Sequence, residues 1–314
     1  HLVRTGQPGL IEQVPGLTYH RPRFAVPSPE PSVAIIIPTG NRADLLARCL
    51  ETLFDRTTYR NMQVTVVVTS PSDQATQAVL DRWSRDGRLG VISDEGAFNF
   101  PRINNRAVAG TDAKFVCLLN DDIEVIDPGW LGEMVAQAVR PGVGCVGAKL
   151  LYPSGRIQHA GIVLGIGGTA GHAFKTFSGH DVGPFGQALL TRTVSAVTGA
   201  CLLVRRSIYA EVGGLDEESF AVAFNDVDFC LKVGAAGYRN VWTPLARLVH
   251  HEGATRGRDR ASRPARRFEA EIRNLRERWG ALLDRDPHYS PNLTLAAEDY
   301  SLAERPRVPR PWEE

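Results

Sequence analysis

Charge of one sign, paired cysteines and long apolar runs are all scarce in this 314-residue sequence, and each scarcity excludes something. Basic and acidic side chains nearly cancel, 36 against 35, so bulk electrostatics gives nucleic acid no footing as a partner. The five cysteines (Cys49, Cys117, Cys145, Cys201 and Cys230) are odd in number, form no Cys-x-x-Cys pair and sit mostly inside apolar runs. Buried, reduced thiols are expected rather than disulfides or a zinc site, which points to a cytoplasmic protein. No apolar run reaches the ~18 residues that span a bilayer, and no secretory signal is visible. Peripheral association with the inner face of a membrane stays compatible with this composition. The chain begins at His1 rather than Met, which leaves room for a larger polypeptide around it. No G-x-G-x-x-G follows the first predicted strand, so a dinucleotide-binding fold lacks its fingerprint.

What is present is an alternation. After a Pro/Gly-rich leader over residues 1–31, buried strands are expected at 33–37, 64–68, 89–92 and 114–119. Amphipathic helices are expected between them at 43–54, 73–85 and 99–108. Continuous apolar strands alternating with such helices predict an α/β fold, a Rossmann-like and mostly parallel sheet with helices on both faces. Ligands of such sheets bind beyond the carboxyl ends of the strands. Loops 38–42, 69–73, 94–98 and 120–122 lie there, so Asp121 and Asp122 end the fourth strand where a ligand belongs. A turn or helix cap is the plain alternative for them. Beyond residue 140 the alternation loosens. Strands are expected at 143–151 and 196–204, a helix from Asn225, a charged helix over 264–284, and then a proline-rich tail with few core residues.

Several segments together resemble family 2 glycosyltransferases, and most closely bacterial enzymes of O-antigen and surface-polysaccharide assembly. They are Val33-Ala-Ile-Ile-Ile-Pro-Thr-Gly-Asn-Arg42, Phe98-Asn-Phe-Pro-Arg-Ile-Asn-Asn105, Asn120-Asp-Asp122, Gln158-His-Ala-Gly161, Ala196-Val-Thr-Gly-Ala-Cys201, Phe224-Asn-Asp-Val-Asp-Phe-Cys-Leu231 and His250-His-Glu-Gly-Ala-Thr-Arg-Gly257. The resemblance runs from about residue 15 to 301. It implies a GT-A fold over 32–260, a nucleotide-binding half (32–125) and an acceptor half (126–260), with a C-terminal helix and tail at 261–314. It also implies inverting transfer from a nucleotide-sugar donor to a saccharide or lipid-linked glycan acceptor.

Such a transfer must neutralise a departing diphosphate, which a hard divalent cation, Mn²⁺ or Mg²⁺, does well. The family's D-x-D motif falls on Asn120-Asp121-Asp122. This implies Asp122 as a metal ligand and Asn120 and Asp121 as nucleotide contacts, with Asn120 bringing no charge. A histidine after the last strand completes the family's metal site. His250 matches it best, and His251 is the alternative, because neighbours on an extended segment point opposite ways. Asp226 matches the catalytic position of the family's Glu-Asp motif. Asp228, expected at the third helical position if Asn225 caps the helix, reads as a capping or Lys232-pairing group. Many relatives carry an Asp after the second strand to hold the base. Thr69 stands near that place here, so Asp94 is a candidate to hold the base instead. Thr39 and Arg42 are further nucleotide contacts, and Asn105, with Asn104 and Arg106, is expected near the diphosphate. His159, His172 and Gly199 are expected around acceptor or sugar, and Arg256 is a candidate to reach phosphate from a closing loop. Two rivals stay open: a sugar-1-phosphate nucleotidyltransferase and a non-catalytic nucleotide-sugar-binding domain of a larger assembly protein.

Overall fold

The computed structural model describes residues 24–69, 73–85, 87–251 and 262–308, and the backbone of 11–14 and 17–20. Strands β1 (Ile11–Val14) and β2 (Leu17–His20) form an antiparallel hairpin separate from the main sheet. The main sheet begins with β3 (Val33–Thr39), all seven residues of which are buried. Its side chains alternate between two cores. Val33, Ile35 and Ile37 enter one with Leu46, Leu50 and Leu53, and Ala34 and Ile36 enter the other. A strand packed on both faces has no polar side to show, hence its uninterrupted apolar run.

Helix α1 (Ala43–Arg56), β4 (Met62–Thr69), α2 (Gln74–Ser84), β5 (Leu89–Asp94), α3 (Phe100–Ala109) and β6 (Phe115–Leu119) follow, with β3 paired in parallel to β4 and β6, and β4 to β5. Asp73 and Asn99 cap α2 and α3, each carboxyl or amide oxygen accepting from the backbone three residues on.

The second half breaks the parallel rule. It contains β7 (Ile123–Val125), α4 (Trp130–Ala138), β8 (Val143–Leu151), β9 (Ile157–His159), β10 (Ile162–Leu164), β11 (Ala170–His172), β12 (Arg192–Val194), β13 (Cys201–Arg205), α5 (Arg206–Glu211), α6 (Asn225–Ala235), β14 (Arg239–His250) and α7 (Ser262–Asp284). The ten-stranded sheet runs β12-β14-β8-β13-β6-β3-β4-β5, with β7 against β14 and β9 against β8. Strand β13 slots in antiparallel between β6 and β8. The strand expected from 196 starts only at Cys201. Ala196 makes only an isolated antiparallel bridge to Ile162, and a turn at 199–200, closed by Cys201 N donating to Thr198 O, leads into the strand. All five cysteines are free and buried.

The tail is better anchored than its composition predicts. Asp286 accepts from Leu164 N (2.8 Å), His288 N (2.7 Å) and Ser195 Oγ. Tyr300 stacks on Phe174 with centroids 4.0 Å apart, and Tyr289 meets it edge-on. A few polar and aromatic anchors dock a segment whose prolines suggested otherwise. At Gly165 (φ 87°) a Cβ would stand 2.3 Å from Leu283 O and 2.9 Å from Leu295 Cδ1. Gly165→Ala therefore combines a left-handed backbone, ~1–2 kcal/mol, with overpacking, ~1–3 kcal/mol. A fall in the urea midpoint at unchanged slope is expected, and an unchanged midpoint would show that the tail does not press on this turn.

Candidate active site

Four parallel strands end side by side at Thr39, Thr69, Asp94 and Leu119, and the loops beyond them carry the polar groups. Thr39 Oγ1 donates to Asp121 Oδ2 at 2.6 Å, and Thr69 Oγ1 donates to Thr39 O at 3.0 Å. Asn41, with φ 56°, offers Oδ1 to Asp73 N at 2.9 Å and so ties the first loop to the second helix. Arg42 stands at the N-cap of α1, 3.6 Å from Asp44. Burial pushes the Asp121 carboxyl up to about 6; the Thr39 hydrogen bond and the Arg42 charge oppose this, and neighbouring Asp122 reinforces it.

Asp122 owes its place to a strand pairing. Strand β7 runs antiparallel to β14 with Ile123 opposite His250, and His251 N donates to Asp122 O at 2.9 Å. This register sets His250 Nε2 3.0 Å from Asp122 Oδ1, both side chains almost wholly buried. Burial alone would raise the Asp122 carboxyl, but contact with His250 and its charge outweigh it and hold the group below the usual carboxylate range. Asp122 Oδ1 is nevertheless buried and short of a hydrogen-bond partner, and so, on the other side of the ring, is His250 Nδ1. Buried polar atoms without partners call for an explanation. A carboxylate oxygen beside an imidazole nitrogen suits a hard or borderline divalent cation. Among the described residues no group of three or more His, Cys, Asp or Glu forms a closed metal cage. Asp122 and His250 are two donors of the kind that fits such a cation. His251 points the other way, its Nε2 3.1 Å from Glu124 Oε2 and 3.4 Å from Arg48 Nη1.

On α6, Phe224 (φ 60°) is the N-cap, and Asn225 is already helical. Asp226 Oδ2 accepts from Gly199 N at 2.8 Å and Oδ1 from Val227 N at 2.9 Å. A Cβ at Gly199 would lie 3.4 Å from that of Asp226 and 3.5 Å from the Phe100 ring, so the turn and the carboxylate pack directly. Asp228 pairs with Lys232 as one of its two expected readings has it, but it does not cap the helix. It is fully buried and its Oδ1 accepts from Arg278 Nη1 at 2.8 Å and Trp279 Nε1 at 2.9 Å, with Lys232 3.8 Å from Oδ2. With the cap one residue earlier, Asp228 sits inside the helix and fastens α7 to α6 instead of capping anything.

Other expected contacts are engaged elsewhere. Asn105 gives Nδ2 to Leu215 O and Glu217 Oε1, and takes Leu215 N and Tyr209 OH on Oδ1. Those four bonds saturate an amide, which leaves it nothing for a diphosphate. Asp94 is buried and neutralised by Arg102 at 2.6 Å and Arg106 at 3.6 Å, so the expectation that it holds the base meets an ion pair already made. Asn120 is half-buried, and its backbone N–H donates to Ala200 O while its carbonyl accepts from Ile123 N. His159 and His172 face each other, Nδ1 to Nδ1 at 2.8 Å. Arg256 lies outside the described residues. Sequence reasoning missed Arg278 and Trp279; adjacent basic and aromatic residues on an exposed charged helix were the signal available.

The sequence model of the glycosyl transferase family 2 matches residues 34–213. The chain belongs to this family. Among its relatives, the uncharacterized Sinorhizobium fredii protein y4gI is 46% identical over 278 residues, covering 87% of this chain and 30% of that protein. The O-antigen biosynthesis protein RfbC of Myxococcus xanthus is 39% identical over 307 residues, covering 98% of this chain and 24% of the relative. This family 2 chain therefore spans less than a third of the length of either. In structure it is similar to a mannosyltransferase of Pyrobaculum calidifontis solved with GDP-Man and Mn²⁺. The TM-score is 0.54 at 17% identity, covering 90% of this chain and 74% of that one. That likeness shows the GT-A fold that the sequence implies.

Proposed function

We propose that this family 2 domain transfers a sugar, with inversion, from a nucleotide-sugar donor to a saccharide or lipid-linked glycan acceptor in surface-polysaccharide synthesis. The observation that carries the reading is the pairing of buried, partner-short Asp122 and His250 at the strand ends of a family 2 fold. The name of the Myxococcus xanthus relative supports the polysaccharide setting. In this reading residues 32–125 hold the nucleotide and 126–260 the acceptor. Asp122 and His250 would hold Mn²⁺ or Mg²⁺, which when bound neutralises the diphosphate as it leaves. Thr39, Thr69, Arg42, Asn120 and Asp121 border the nucleotide, and Asp121 is held in place by the Thr39 hydroxyl. Asp226 takes the proton of the acceptor hydroxyl on a carboxylate oxygen. Each of its oxygens accepts one backbone N–H and retains a second lone pair for that proton. No described helix is long and apolar enough to cross a membrane.

The test is turnover. UDP-, GDP- and dTDP-sugars are incubated with the protein, MnCl₂ and saccharide acceptors, and released nucleoside diphosphate is measured. At least one donor should turn over, with loss under chelation. Binding without release from any donor would favour a non-catalytic module, and release of pyrophosphate from a nucleoside triphosphate with sugar-1-phosphate would favour a nucleotidyltransferase.

A further inference from the structure

His159 is fully buried at the end of β9, and no step of the reaction described above uses its side chain. Its Nε2 faces two backbone donors, Gly161 N at 3.3 Å and Thr198 N at 3.4 Å. A peptide N–H can only donate, so Nε2 is bare. Burial, with His172, His250 and Arg192 nearby, holds the ring well below the usual histidine range and therefore neutral. The proton of the neutral ring then sits on Nδ1 and is donated to His172 Nδ1, which must itself be bare. One imidazole thus has a tautomer fixed from both sides.

Its position in the chain of contacts is what gives it a role. The amide that binds His159 belongs to Thr198, and the next amide, Gly199 N, binds Asp226 Oδ2 at 2.8 Å. One residue further on, Ala200 O accepts from the backbone N–H of Asn120, the first residue of Asn120-Asp121-Asp122. The turn 198–200 therefore touches the metal-side loop on one end and the proposed base in its middle, and His159 is the side chain behind it. We propose that His159 is a positioning residue for glycosyl transfer: as the Nδ1–H tautomer it holds the Thr198 amide and so sets where Gly199 places Asp226. This rests on the reading of Asp226 as base.

The two arms of the imidazole can be separated by substitution. Glutamine places an oxygen near Nε2 and keeps an acceptor for Thr198 N, whereas asparagine places a donor near Nδ1 and loses that acceptor. Nucleoside diphosphate release is measured with the best donor of the panel, together with Mn²⁺-dependent donor affinity by calorimetry. His159→Asn should lower kcat by ~10²-fold, the loss typical of a misplacement of about 1 Å, at unchanged donor affinity. His159→Gln should keep kcat within a few-fold of wild type. In an Asp226→Asn background, adding His159→Asn should cost almost nothing further, because the group it positions is gone. Wild-type kcat in His159→Asn, equal losses in Asn and Gln, or losses that multiply in the double variant would each overturn the inference. Undiminished turnover in Asp226→Asn alone would instead sink the base assignment. Should His159→Asn melt below assay temperature, His159→Gln decides alone: near-native kcat supports the role, and a loss as deep as that of Asp226→Asn overturns it.

Discussion

Asp226→Asn should lower transfer by ~10²–10⁴-fold, the span for loss of a general base, while leaving donor affinity nearly untouched. The variant keeps size and position, since one amide oxygen can still accept from either Gly199 N or Val227 N. The amide NH₂ must then face the other backbone donor, a loss of about one hydrogen bond, ~0.5–1.5 kcal/mol. That is too little to unfold a domain of this size and far smaller than the expected change in the barrier, so activity and stability separate. Nucleoside diphosphate release with an acceptor, set beside urea unfolding of the same protein, reads both. A variant that turns over at the wild-type rate would place the base elsewhere.

Asp228→Ala should do the reverse. Its carboxylate is fully buried and receives Arg278, Trp279 and, at ion-pair distance, Lys232. Removing one partner of a buried pair typically costs ~3–5 kcal/mol because the other charge is left stranded. Two features here favour the low end. Arg278 keeps Asp216 at 2.8 Å, and its side chain is 37% exposed, so water recovers part of the loss. A loss near 3 kcal/mol is expected, against ~1 kcal/mol had Asp228 been the helix cap its spacing suggested. Urea midpoints decide between the two, and a shift equivalent to less than 1 kcal/mol would mean that α7 is not fastened through this carboxylate.

The contrast between these two aspartates shows how far the residues could be read before the fold was seen. The first half of the sheet was legible because buried parallel strands leave uninterrupted apolar runs and amphipathic returns, as in β3, α1 and β4. The second half was not, because its strands are as short as three residues and β13 enters antiparallel, which no periodicity announces. At the site, motifs singled out Asp122, His250 and Asp226, and the β7–β14 register shows that His250 faces Asp122 while His251 faces Glu124. Asn105 could not be read correctly, since every partner of its side chain lies more than 100 residues away. Asp228 was legible only in its Lys232 pair; its partners Arg278 and Trp279 stand 50 and 51 residues downstream.

If Asp122 and His250 form the protein's half of a metal–diphosphate site, a nucleoside diphosphate should stabilise the fold only together with metal, which thermal unfolding with UDP, GDP or dTDP in the presence and absence of MnCl₂ reads out. A ligand at 100 times its dissociation constant stabilises by ~2.7 kcal/mol, a shift readily resolved. At least one nucleoside diphosphate should raise the melting temperature of the wild type only with Mn²⁺, and Asp122→Ala should lose that rise while still folding. An equal manganese-dependent rise in wild type and Asp122→Ala would contradict that assignment.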